Sequence, residues 1–295
     1  MNNPFFSIIL PTYNRDKLIS KAIQSVINQT FANWELIIVD DGSTDNTRNT
    51  IETFDDKRIK YLYQENQERS IARNTGINNS NGQYICFLDS DDYYLENHLQ
   101  SLYDEISFQN FPVSFYFVLR AFESNEEITY PPLNNFKVRN NIELIFNIMI
   151  ATPQTCIHKD ILQKNMFNPE FKTGEDLELW SRILVEYPLE KVNKHTVVSK
   201  IHEENSVNFA SGNFFVENLK VVRFIFKNKK ISSHISLKQK HLSISNCYFG
   251  IARYYLLKNK KLMAIYYLTK SIIYFPFHKQ NIYRIKLILK TIFNL

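Results

Sequence analysis

The rhythm of the first part of this chain restricts its fold more than any other feature: short β-branched and aromatic runs alternate with longer amphipathic stretches as far as about residue 120. Phe5–Leu10, Leu36–Val39, Ile59–Tyr63, Tyr84–Leu88 and Val113–Leu119 read as strands. Lys17–Asn28, Thr44–Phe54 and Ser70–Asn78 read as the helices between them. The first gathers Leu18, Ala22, Ile23, Val26 and Ile27 on one face, and the second follows a Gly-Ser-Thr-Asp turn suited to an N-cap. Parallel strands cannot be joined by hairpins and need crossovers, so the alternation predicts an α/β domain with a mostly parallel, Rossmann-like sheet flanked by helices. Tyr94–Ile106, Asn140–Ile150 and Glu175–Glu186 read as further helices, Pro131-Pro132 marks a loop, and Thr196–Ile201 reads as a late strand.

Beyond Phe214 the pattern turns wholly helical, with segments at Phe215–Phe226, Leu237–Leu257, Lys261–Phe275 and Asn281–Phe293. The expected division is therefore an α/β domain over 1–214 and an all-helical appendage over 215–295. Charge divides in the same place. Sixteen of the chain's 35 Lys and Arg lie in 218–295 with none of its 30 Asp and Glu, which leaves 19 basic against 30 acidic side chains in 1–217. The mild net charge of +5 thus combines a +16 tail with a −11 body.

Cys86, Cys156 and Cys247 are widely spaced with no C-x-x-C pair, so neither a disulfide framework nor a zinc knuckle is expected and a reducing compartment fits. The N-terminal apolar stretch lacks the basic region of a signal peptide. No uncharged apolar run reaches the ~18 residues of a spanning helix. The expectation is a cytoplasmic protein, peripheral on the inner face of the cell membrane.

The acidic residues show where chemistry could occur. Asp40-Asp41 follows one predicted strand and Asp89-Ser90-Asp91-Asp92 another, so both sets fall at the carboxyl ends of parallel strands, the edge where open α/β sheets bind ligands. Carboxylates crowded there repel one another and call for a cation. Asp-x-Asp spacing suits Mg2+ or Mn2+, held by one or two carboxylates with substrate phosphate filling the remaining oxygen positions. The competing reading is plainer: Asp91 or Asp92 starts the helix at Tyr94–Ile106 as a cap.

The motifs occur in one order: Ser7-Ile8-Ile9-Leu10-Pro11-Thr12-Tyr13-Asn14, Ser25–Thr30, Ile38-Val39-Asp40-Asp41-Gly42-Ser43-Thr44-Asp45, Ala72-Arg73-Asn74, and Phe87-Leu88-Asp89-Ser90-Asp91-Asp92. With Thr173-Gly174-Glu175-Asp176-Leu177-Glu178-Leu179-Trp180 and the later Lys200-Ile201-His202, the order resembles the family 2 glycosyltransferases of the GT-A fold, of the type that builds bacterial surface glycans. The resemblance spans about residues 5–210. It implies a nucleotide-diphospho-sugar donor, a UDP-sugar in the first instance, and a glycan or lipid-linked acceptor. By the same resemblance Pro11, Thr12 and Tyr13 line the base pocket, Asp40 accepts from the base, Arg73 approaches the nucleotide or its phosphates, and Asp89 faces the ribose. Asp91 and His202 are the implied metal ligands, Asp176 the base that deprotonates the acceptor, and Glu175 and Trp180 the acceptor-side lining. Two departures bear on donor selectivity: Glu68 stands where many relatives carry glycine, and Lys200 where arginine is common.

Two other functions compete. A nucleotidyltransferase uses a related sheet and metal site but wants a Gly- and basic-rich phosphate loop after the first strand, and Pro11–Arg15 has no glycine. A non-catalytic sugar-nucleotide-binding partner of another transferase would have no need of the Glu-Asp motif. The tail, whose aromatics recur beside Lys and Arg, is expected to face an anionic membrane surface, with packing between domains or copies as the alternative; nucleic acid is disfavoured because no recognition motif is present.

Overall fold

The computed structural model describes residues 3–132, 139–201, 212–276 and 280–293. Its secondary structure runs β1 (Phe6–Thr12), α1 (Ile19–Ile27), β2 (Trp34–Asp40), α2 (Thr47–Glu52), β3 (Ile59–Tyr63), α3 (Glu68–Asn78), β4 (Tyr84–Phe87), β5 (Asp92–Tyr94), α4 (His98–Phe108), β6 (Phe115–Ser124) and β7 (Glu127–Thr129). It continues with α5 (Asn141–Ile145), β8 (Thr155–His158), α6 (Lys159–Lys164), α7 (Glu175–Ile183), β9 (Leu189–Lys200), α8 (Gly212–Lys227), α9 (Lys229–Ser232), α10 (Leu237–Leu257), α11 (Lys261–Tyr274) and α12 (Asn281–Phe293).

The chain forms two compact units, one comprising Met1–Lys137, Met149–Lys172 and Arg182–His202, the other Val138–Ile148, Thr173–Ser181 and Glu203–Leu295. The first holds a sheet of order β3-β2-β1-β4-β8-β6-β9-β5, with β7 on β6. β1 pairs in parallel with β2 and β4, and β2 with β3, as the alternation predicts. The sheet then becomes mixed, because β8 runs antiparallel to both β4 and β6, and β5 antiparallel to β9.

The inner parallel strands β1, β2 and β4 are mostly buried and apolar, as expected where both faces are covered, with Ser7 and Glu35 as breaks, while β3 at the edge is more open. Ile8, Leu10, Leu36, Ile38 and Cys86 face Ala22, Ile23 and Val26 of α1. Ile37 and Val39 face Ala72 of α3. Gly76 lets α3 settle onto β1: a Cβ there would lie 2.4 Å from Ile9 Cγ2. That approach sets the height of Arg73, three residues earlier on the same helix.

The second unit draws in segments from before residue 214 as well as the C-terminal helices. Phe146 and Leu177 pack with Leu219, Val222, Cys247, Tyr248 and Ile251, and Glu143 Oε1 accepts from the Ser236 backbone N–H at 2.7 Å. Segments 138–148 and 173–181 therefore belong with the C-terminal helices, since their apolar side chains find their partners there. Within the described residues no helix is long and apolar enough to cross a membrane.

Candidate active site

The carboxyl ends of β1, β2 and β4 carry the expected donor residues. Thr12, last in β1, is register partner of Asp40, last in β2, and Asp41 N–H donates to Thr12 O at 2.8 Å. Asp40 is 1% exposed; its Oδ1 accepts from Ser43 N–H and its Oδ2 from Tyr61 O–H, each at 2.8 Å. Burial and donation to this carboxylate push the Tyr61 phenol up. Asp40 thus shapes the turn after β2, and a base N–H could reach only the lone pairs these two bonds leave over.

Asp41, given no role from sequence, is a second organiser. Its Oδ1 accepts from Gln64 Nε2 at 2.6 Å and from Gln67 N–H at 3.0 Å, and its carbonyl accepts from Asn66 Nδ2 at 2.9 Å. Gly42 is left-handed (φ 84°), and a Cβ on it would lie 2.8 Å from Asn66 N, so the two segments meet at a position only glycine fills comfortably. Tyr13 is 47% exposed and so presents a ring free to stack. The turn beneath it is pinned by Asn14, whose N–H donates to Ser43 Oγ at 2.9 Å and whose Oδ1 accepts from Thr44 N–H at 2.8 Å. Pro11 is half-buried beside it. Thr12 Oγ1 is buried and has no hydrogen-bond partner among the described residues. A buried hydroxyl left unpaired calls for an explanation.

Arg73 is buried on α3, and its Nη2 donates to Asp89 Oδ1 at 2.8 Å while its guanidinium lies 5.4 Å from the Phe167 ring centroid. That bond ties the expected donor-side arginine to the Asp89 carboxylate. The next residue, Asn74, forms a two-way clamp: its Nδ2 donates to Phe167 O and its Oδ1 accepts from Phe167 N–H, both at 2.9 Å. Ser70 Oγ donates to Phe171 O at 3.5 Å and Glu68 pairs with Lys172, so α3 ties down this segment at residues 167, 171 and 172. Glu68 itself is left-handed (φ 74°), which explains why glycine suits that position.

Asp89, Asp91 and Asp92 form the acidic turn, with Asp92 N–H donating to Asp89 O at 3.0 Å. The helix that Asp91 or Asp92 was expected to cap begins instead at His98, and Asp92 opens β5. The capping alternative is thereby removed. Asp92 is buried against Ser199, whose Oγ donates to Oδ2 at 2.9 Å. Burial, with the Asp91 and Asp89 charges beside it, pushes its carboxyl well above the ordinary range.

Glu175, Asp176 and Glu178 occupy the first turn of α7, where a helix dipole favours acidic side chains. Asp176 is half-buried and its Oδ1 accepts from Leu177 N–H at 2.7 Å. Glu175 is buried, and Trp180 is 1% exposed. The Trp180 indole is therefore enclosed in this structure, whereas Asp176 is the more open member of the motif. His202 lies outside the described residues.

A family model described as Glycosyl transferase family 2 matches residues 7–165. The chain belongs to this family. A UDP-Glc:alpha-D-GlcNAc-diphosphoundecaprenol beta-1,3-glucosyltransferase, WfgD of Escherichia coli, is 35% identical over 201 residues, covering 68% of this chain and 78% of that protein. Among solved structures, Staphylococcus aureus TarS 1–349 in complex with UDP-GlcNAc shares the fold at TM-score 0.66 and 20% identity, over 91% of this chain and 81% of that one. The mannosyltransferase PcManGT of Pyrobaculum calidifontis, in complex with GDP-Man and Mn2+, does so at TM-score 0.58 and 15% identity, over 100% and 88%. The chain spans only about a third of an uncharacterized glycosyltransferase of Rickettsia bellii, 32% of its length at 31% identity over 75% of this chain. The architecture is thus the GT-A fold expected from the motifs.

Against a divalent ion, the family 2 site offers hard oxygen donors in a concentration that needs neutralising. Among the described residues no three His, Cys, Asp or Glu side chains are grouped to hold a metal. Asp89 and Asp91 remain as two carboxylates beside a buried third whose proton affinity already registers their charge. That donor set fits an ion that takes most of its coordination from phosphate and water.

Proposed function

We propose that this protein is an inverting, metal-dependent glycosyltransferase that moves a sugar from a nucleotide-diphospho-sugar, UDP-linked in the first instance, to a hydroxyl of a lipid-linked or polysaccharide acceptor. The observation that carries the reading is the single edge on which Thr12, with its unpaired hydroxyl, the open Tyr13 ring, and the acidic turn 89–92 held by Arg73 all stand. Tyr13 stacks on the base and Thr12 Oγ1 finds its partner on the nucleotide. Arg73 fixes the Asp89 carboxylate toward the ribose. Asp91 would hold Mg2+ or Mn2+, with phosphate and water filling the remaining positions, and such an ion, when bound, would neutralise the diphosphate as it leaves.

Asp176 takes the proton of the acceptor hydroxyl while that oxygen bonds to the anomeric carbon. The bond from that carbon to the diphosphate breaks, its electron pair departs with the nucleotide, and configuration inverts in one displacement. The UDP-GlcNAc held by TarS, the UDP-Glc in the name of WfgD and its diphosphoundecaprenol acceptor support this choice of donor and acceptor class. Such an acceptor would place the enzyme at the cytoplasmic face of a membrane. Asp176→Asn should keep UDP binding by calorimetry while losing transfer; undiminished turnover in that variant would remove Asp176 as the base.

A further inference from the structure

The last helix is built inside out. On α12, Asn281, Arg284 and Thr291 are buried, while Ile282, Ile285, Leu289 and Ile292 are 47–70% exposed. Spacings of three, four and three residues put these four on one face of a helix, and Lys286 and Lys290, both exposed, border it. The buried side is fixed by a polar lock. Arg284 Nη1 donates to Ser245 Oγ at 2.7 Å and Nη2 to Asn246 Oδ1 at 3.2 Å, and Asn281 Nδ2 donates to the carbonyls of Phe275 and Pro276 at 2.9 and 2.7 Å. Rolling the helix to bury its isoleucines would strand the guanidinium, so the apolar face is held outward by design of the inner one. α11 buries Ala264 and Leu268 yet also turns apolar side chains outward: Leu262, Tyr266 and Ile273 are 49–84% exposed at helical spacing, with Lys270 Nζ 4.4 Å from the Tyr266 ring centroid.

We propose that the outer faces of α11 and α12 are a docking surface for anionic phospholipid, on which the helices lie with their isoleucines and leucines at the acyl boundary and their lysines among the headgroups. The occupant follows from charge. Residues 218–295 carry 16 Lys and Arg and no Asp or Glu, so a second copy of this chain would bring the same uncompensated positive charge to the contact. A lipid surface supplies both complements at once, apolar depth and negative charge. The proposal deepens the transferase reading, from which it takes its membrane-linked acceptor.

Co-sedimentation of the full chain with vesicles tests it, using phosphatidylcholine alone and phosphatidylcholine with one quarter phosphatidylglycerol. Binding should require phosphatidylglycerol and weaken as salt rises. Lys286→Glu with Lys290→Glu should lower the binding constant at least about tenfold, at about fivefold per lysine near anionic lipid. The triple variant Ile285→Asn, Leu289→Asn, Ile292→Asn should lose a comparable factor even at low salt, with an unchanged circular dichroism spectrum. Wild-type chain left in the supernatant, variants that bind as well as wild type, or a dimer by light scattering that the triple variant dissociates would each overturn the proposal. Nucleotide release from sugar nucleotides, assayed on the same preparations, separates the two readings. Release without vesicle binding sinks the docking surface alone, and vesicle binding without release from any donor sinks the transferase reading and leaves the surface standing.

Discussion

The carboxyl edge of β1, β2 and β4 and the C-terminal helices handle polar groups in opposite ways. At the edge, charged side chains are drawn in and held: Asp40 by Ser43 and Tyr61, Asp41 by Gln64 and Gln67, Asp89 by Arg73. On α12 the one buried cation, Arg284, is held by neutral Ser245 and Asn246, and the remaining charge faces outward beside exposed isoleucines. Ordered charge of the first kind suits a ligand that needs exact placement, whereas distributed charge of the second suits a surface that needs none. The difference predicts that single substitutions at the edge act strongly and individually, while those in the tail act weakly and additively.

The contrast breaks most visibly at Asp91. Asp91→Ala should lower nucleotide release from the donor by on the order of a thousandfold or more, as expected when several kcal/mol of leaving-group stabilisation are removed. Arg73→Ala should cost about 3 kcal/mol of stability in urea unfolding, toward the low end for a broken buried pair because Asp89 is partly open to water. It should also raise the donor KM, since Asp89 loses its orientation.

Asp92 offers a pH-dependent test. Its carboxyl binds a proton more tightly folded than unfolded, so the native state pays a growing penalty as pH rises from the ordinary value of 3.8 through the raised one. Asp92→Asn should therefore stabilise the metal-free protein at neutral pH, and the gain should vanish below about pH 4, where the aspartate is protonated in both states. A constant gain across pH would contradict the cause assigned to the shift.

Asn74→Ala removes both bonds to the Phe167 backbone and should cost about 1–2 kcal/mol in thermal unfolding. Glu68→Gly should be smaller still, a net change within about 0.5 kcal/mol, because relief of the left-handed backbone offsets the entropy of glycine and a mostly exposed ion pair with Lys172. At the far end, Lys286→Glu with Lys290→Glu should leave soluble donor hydrolysis unchanged; a loss there would erase the distinction between the two regions.

Long periodic segments were readable in the amino-acid order. Ile59–Tyr63, Leu237–Leu257 and Asn281–Phe293 stand where the pattern predicts them, and β1, β2 and β4 are displaced only at their ends. β5, three residues long, and β8, four residues of which Thr155 and His158 are polar, offer no apolar run to read, and β9 is legible only over its last residues. β5 is also what displaced the start of the helix expected at Tyr94 to His98. Asp89, Asp91 and Asp40 could be picked out because crowded carboxylates at strand ends demand an explanation. Asp41, Gln64 and Asn74 could not be assigned roles, since each acts through a loop whose path only tertiary structure sets. Trp180 shows another limit: an indole in a motif reads the same whether it stands open or enclosed. The tail's composition pointed to an anionic surface, but which face of α12 looks outward depends on Arg284, whose burial no local pattern announces.

The central claim is that the edge built by Thr12, Tyr13, Arg73, Asp89 and Asp91 activates a sugar nucleotide. A panel of UDP-, GDP-, TDP- and CMP-sugars, incubated with the full chain with and without Mn2+ and scored for free nucleotide, tests it most directly. The account predicts release of nucleoside diphosphate from one donor class, dependent on divalent ion and absent in Asp91→Ala. Release that persists in Asp91→Ala and in excess chelator, or none from any donor with ion present, would contradict it.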